Sequence, residues 1–160
     1  AMLEKLDVLV RFWALSGRLA RAAEPLDASE RRELLALLAM VGNDVEIPAP
    51  GTVKRKAVPL PAQVFAEGGV SRGEILRVTA GALVLSSADL IPVGREVLVR
   101  VTDAVAGVEY VLPCRVVWQA KGSPSTMALV VDGIPNRQRF QGFPMVQPSL
   151  GLAPARRLVG

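Results

Sequence analysis

The densest charge cluster in the sequence is Lys54-Arg55-Lys56, three consecutive cations of the kind that can touch phosphate. A run this short more often forms the solvated part of a linker, and that is the expectation here. Cys114 is the single cysteine, so an internal disulfide or a CxxC zinc or redox site is excluded. The absence of histidine removes imidazole acid–base catalysis, Ser-His and Cys-His nucleophile pairs, and imidazole metal ligands. Metal binding would rest on carboxylates alone, and no Asp-rich run has the alternation of an EF-hand loop. Gly68, Gly69 and Gly73 match neither GxGxxG nor a phosphate-binding loop, and they read as hairpin turns. No convergent carboxylate pair or activated nucleophile is legible. The expectation is a non-enzymatic protein with no cofactor and no metal.

The elements that must position these residues come from a chain of 160 residues, 51% hydrophobic and 21% charged, enough for one core. Its net charge of +4 is uneven. Residues 1–52 hold 6 basic and 8 acidic side chains, residues 53–134 hold 9 and 7, and residues 135–160 hold 4 arginines and no acid. A duplex-binding protein usually shows a dense basic stripe along one element, so no specific nucleic-acid partner is expected. Only 4% of residues are aromatic, which supplies a base-stacking platform poorly. The apolar stretch Val8–Leu15 is interrupted by Arg11 and is too short to span a membrane or to form a signal peptide. A cytoplasmic location without membrane insertion is expected.

Residues 1–46 read as a helical hairpin. Leu3, Leu6, Val10, Trp13, Gly17 and Ala20 recur at alternating spacings of three and four, and Leu9, Phe12, Ser16, Leu19 and Ala23 form a second seam beside them. Pro25 stops this helix, and Asp27 with Glu30 offers a capping box for another over about Ala28–Val41, closed by Gly42-Asn43 as a left-handed cap. Every residue from Leu34 to Val41 is apolar, more than a two-helix unit can bury within itself. The surplus must meet the following domain or a second copy. The helical spacing favours helix partners, so a homo-oligomer is expected, with Leu6, Trp13, Leu34 and Leu38 at its interface.

Residues 43–53 read as a Pro/Gly linker, with a domain boundary at 46/47. Beyond it the period changes to two. Strands are predicted at Pro61–Ala66, Glu74–Val78, Ala82–Ser86, Glu96–Val101, Val108–Trp118 and Thr126–Val131. In the fifth, Val108, Tyr110, Leu112, Cys114, Val116 and Trp118 share one apolar parity, which places Cys114 and Trp118 in the core. Six short strands predict a small antiparallel barrel or sandwich over residues 47–134, an α+β architecture once the hairpin is included. Residues 135–160 form a Pro/Gly-rich C-terminal arm, with one turn of helix near Asn136–Phe140.

The segment order KRKAVPLPAQV (54–64), ILRVTAGALVLSS (75–87), PVGREVLVRV (92–101) and YVLPCRVVWQA (110–120) resembles a PilZ domain, over roughly residues 53–134. The resemblance implies a six-stranded barrel and, for the family, reception of cyclic di-GMP through an RxxxR stretch and a D/N-x-S-x-x-G stretch. Here Val53 and Ala57 fall at the two arginine positions, and Arg77, Thr79 and Ala82 at the Asp/Asn, Ser and Gly positions. Lysine does not copy the bidentate grip of an arginine pair, and Arg77 replaces an acceptor with a donor. Family members lacking these motifs act as protein-interaction adaptors in motility or pilus machinery, and a signalling or motility protein partner is what the resemblance implies here. Two other readings are a receptor with an atypical site drawn from Lys54, Arg55, Lys56, Arg77 and Thr79, and a small basic barrel that binds nucleic acid.

Overall fold

A computed structural model describes residues 2–21, 25–53, 60–87 and 89–139. Helices α1 (Met2–Arg21) and α2 (Ala28–Val41) precede strands β1 (Leu60–Ala66), β2 (Gly69–Val78), β3 (Leu83–Ser87) and β4 (Glu96–Asp103). Strands β5 (Val108–Ala120), β6 (Ser125–Val131) and β7 (Asn136–Arg139) complete the described chain. The strands run in the order β4-β1-β2-β3-β6-β5, and pairing of β4 with β5 closes a six-strand antiparallel barrel. The predicted fold class is therefore found, with the barrel preceded by two helices. Among the described residues, the helices and the barrel wall (2–101 and 110–137) belong to one compact unit. The hairpin tip 102–109 belongs with Gln138 and Arg139 to a second, in which Asp103 caps its turn by accepting from the Val105 and Ala106 amides.

Local chemistry accounts for the hairpin. The Asp27 carboxylate accepts from the Glu30 amide at 2.7 Å while Glu30 accepts from the Asp27 amide, so the predicted capping box starts α2. Leu15, Leu26, Leu34 and Leu37 form one cluster against which Val8 and Phe12 pack. Arg11 grips Glu33 through two bonds of 2.8 Å, and Arg18 meets Glu30 at 2.7 Å. The Arg18 guanidinium holds the Glu30 carboxyl below its ordinary value, and Arg11 does the same for Glu33.

Three sequence expectations differ from the structure. Gly42 is right-handed (φ −62°, ψ −20°), because its amide keeps the helical bond to the Leu38 carbonyl. The helical turn expected near Asn136–Phe140 is strand β7 as far as Arg139; β6 pairs with β5 only from Cys114 onward, and β7 continues along the stretch that β6 leaves. Phe140 and the rest of the C-terminal arm lie outside the described residues. The third difference is Trp118, displaced by a bulge. Val116 faces Leu129, but Trp118 faces Ala128, so the extra residue moves Trp118 off the buried parity of Cys114 and Val116.

Candidate functional site

Directly opposed residues in an antiparallel sheet present their side chains on the same side. Arg77 opposes Val84, Val84 opposes Ala128, and Ala128 opposes Trp118, so one row crosses the outer wall from β2 to β5. A second bulge, between Ile75 and Arg77, sets the near end of that row. Its two ends hold the same segment of chain. The Arg77 guanidinium pairs with the Glu46 carboxylate, and the Trp118 indole N–H donates to the Pro48 carbonyl at 2.8 Å. Val84 and Ala128, between these anchors, are fully buried despite their outward parity. Residues 44–48, read from sequence as linker, are a strap across the barrel wall.

The strap also saturates the β2–β3 turn. Thr79, with no exposed surface, accepts through Oγ1 from the Gly81 and Ala82 amides at 3.1 and 3.0 Å and donates to the Glu46 carbonyl at 2.6 Å. The Ala80 amide donates to the Asp44 carbonyl at 2.6 Å, and the Ala80 carbonyl accepts from the Trp13 indole at 2.8 Å. A Cβ at position 81 would stand 2.1 Å from the Val45 carbonyl oxygen, so glycine there is a condition of the strap lying this close. The turn that the sequence aligns with a ligand motif thus spends its polar groups on its own chain.

Helix α1 is seated on the barrel at further points. The Tyr110 hydroxyl donates to Asp7 at 2.8 Å, and Arg137 donates to the same oxygen at 2.9 Å. Burial pushes the Tyr110 hydroxyl above its ordinary pKa, and the bond to Asp7 adds to this. At Gly17 an added Cβ would meet the Gly133 carbonyl and the Ile134 side chain at 3.2 Å. These contacts correct the predicted interface. Leu6, Trp13 and Leu34 are buried within the chain itself, because α1 packs on the barrel and on α2, and of the four only Leu38 remains exposed. The structure bonds both Arg77, in β2, and Thr79, in the turn, to Glu46, while Lys54, Arg55 and Lys56 lie outside the described residues.

Sequence reasoning missed Asp44, Glu46, Pro48 and Gly81. A signal was present in the alternation Asp44-Val45-Glu46-Ile47, which has a strand's period of two. It was hidden because the pattern is inverted: Glu46 pairs with Arg77 of the barrel and Asp44 with Lys5 of α1, whereas Val45 and Ile47 stay half-exposed.

A concavity of about 830 Å³ lies at the opposite end of β1 and β2. It is lined by the Glu67–Gly69 turn, residues 89–92, Arg95 and Arg115. Its guanidiniums are already engaged, Arg95 with Glu67 at 3.0 Å and Arg115 with Glu96 at 3.1 Å and with Asp132. Hydrogen bonding and charge from Arg115 hold the Asp132 carboxyl below its ordinary value. Both arginines are thus ion-paired within the chain. Cys114 is buried, and desolvation pushes its thiol far above the ordinary range, which leaves no reactive thiolate. No described helix is long and apolar enough to cross a membrane, and no cluster of metal-ligating side chains occurs among the described residues.

No family model, curated protein or solved structure matches the chain.

Proposed function

We propose that this protein is a non-enzymatic, cytoplasmic interaction module, a PilZ-like barrel that works through protein contacts and does not take cyclic di-GMP in that family's manner. One observation carries the reading: the β2–β3 turn has its hydroxyl, amides and carbonyl bonded to the strap and to Trp13. A nucleotide entering there would have to displace backbone that a buried threonine and a close-packed glycine hold in place. Self-association through the N-terminal helices belongs to the same reading. The resemblance to motif-poor PilZ proteins supports a role as adaptor in motility or pilus regulation.

Titration with cyclic di-GMP by calorimetry tests this, and no binding is expected through the micromolar range. A micromolar or tighter dissociation constant that is lost in Arg77→Ala would overturn the proposal in favour of a receptor with an atypical site. Specific nucleic-acid binding would give a complex that persists at about 200 mM salt, where charge-only contacts have lost most of their affinity.

A further inference from the structure

One stretch of the barrel wall lacks a neighbour. Strand β2 pairs with β1 from Gly69 to Ile75, but among the described residues its register with β3 ends at Gly73↔Ser87. Gly69–Arg72 therefore has a strand on one side only. Pro61 shows which backbone groups are left over, because it opposes Glu74 and has no N–H to give the ladder. That pair is then of the non-hydrogen-bonded kind, and Glu74 turns its N–H and C=O toward β3. The Ser86 carbonyl oxygen agrees with this, since a Cβ on Gly73 would stand only 2.6 Å from it. Every second residue of a strand points its backbone groups the same way, so those of Val70 and Arg72 face the open side. Among the described residues no backbone bond joins them to residues 89–95, which line the far wall of the 830 Å³ concavity.

We infer that Gly69–Arg72 takes up an extended peptide of a partner protein as an added antiparallel strand, along the line that β3 leaves. Alternating N–H and C=O groups on a strand edge are matched by the backbone of another strand, and this selects a peptide. The groove is walled by residues 89–92 opposite the edge, so it admits one strand and not the sheet of a second barrel. Side chains then select the sequence. Val70, 59% exposed, ends an outward apolar row that crosses Phe65 to Leu98. Arg72 stands in the next outward row with Gln63 and Arg100, is exposed, and enters no ion pair among the described residues. Directly opposed residues share a side of the sheet, so the peptide residue facing Arg72 is acidic and the one facing Val70 is β-branched or aromatic. An antiparallel peptide meets Arg72 first, which sets the order as acidic, small, then apolar. The inference deepens the protein-contact reading and rests on it in taking the barrel as a partner-binding surface.

The probe is a fluorescein-labelled peptide, Thr-Glu-Ser-Val-Thr with both ends blocked, titrated with the full chain and followed by anisotropy. Saturable binding is expected, with a dissociation constant of about 100 μM for so short a strand. Arg72→Glu, at an exposed position, should leave the thermal melt intact and weaken binding about tenfold, and a peptide with lysine in place of glutamate should recover that loss on the variant. Methylating the peptide's valine nitrogen removes the donor that faces the Val70 carbonyl and should abolish binding. No saturable binding up to about 1 mM, or equal binding of the N-methylated peptide, overturns the proposal. Indifference to both Arg72→Glu and the lysine peptide overturns its register. The cyclic di-GMP titration reads the other end of β2, so the two readings fail separately.

Discussion

Deleting residues 1–48 is expected to abolish cooperative unfolding of the barrel rather than release it as an independent domain. The deletion removes the Trp13 bond to Ala80, the Asp7 bond to Tyr110, and the whole strap from Asp44 to Pro48. It uncovers an outer-wall row in which Val84 and Ala128 are fully buried, and it leaves Thr79 without the carbonyl to which it donates. Each large apolar side chain newly exposed forfeits about 1.5–3 kcal/mol. A domain of this size has a net stability of only about 5–15 kcal/mol, so a few such losses consume it. Urea titration followed by circular dichroism should give a broad, shallow transition, or the chain should aggregate. A soluble fragment with a sharp transition would show instead that the helices are a separable module, as the sequence boundary at 46/47 suggests.

Trp13→Ala is expected to destabilise the intact chain by about 3–5 kcal/mol, the range for truncating a buried aromatic side chain. Trp13 is only 8% exposed, and it joins three elements: it sits on α1, bonds to the β2–β3 turn, and that turn in turn holds the strap through the Ala80 amide. Removing the indole opens a cavity and also leaves the Ala80 carbonyl without its donor. The check is the midpoint of urea denaturation, read with the slope to confirm that unfolding remains two-state. A loss below about 1 kcal/mol, with a change of oligomeric state in its place, would return Trp13 to the role of interface anchor expected from sequence.

How much of this was legible follows from what local pattern encodes. The helices and the six barrel strands were legible because amphipathic period reports directly on which face is buried. The Asp27–Glu30 capping box was legible because its chemistry is complete within four residues. The bulges were not: the extra residue between Val116 and Trp118 leaves the apolar alternation of the sequence undisturbed, yet turns Trp118 to the opposite face. The strap was misread because Asn43, Pro48, Pro50 and Gly51 have the composition of a linker, and its partners, Arg77 and Trp118, lie 31 and 70 positions away from the residues they bond. Gly81 announces a turn in sequence, but nothing local says that another backbone passes over it. The apolar run Leu34–Val41 reported a surplus correctly and could not say which side chains the hairpin would absorb. The structure buries Leu34 and Leu37 and leaves Leu35 and Leu38 outside.

The β2–β3 turn is filled by the chain's own strap, and the proposed function requires this turn to be closed to a nucleotide. Amide hydrogen exchange at Ala80 reads it most directly, because that N–H donates to Asp44 in the strap and its protection is lost when the strap lifts. Ala80 is expected to exchange as slowly as the strand interior of β3, and saturating cyclic di-GMP is expected to leave its rate unchanged. Fast exchange at Ala80 in the free protein, or a change of rate on adding the nucleotide, would contradict it.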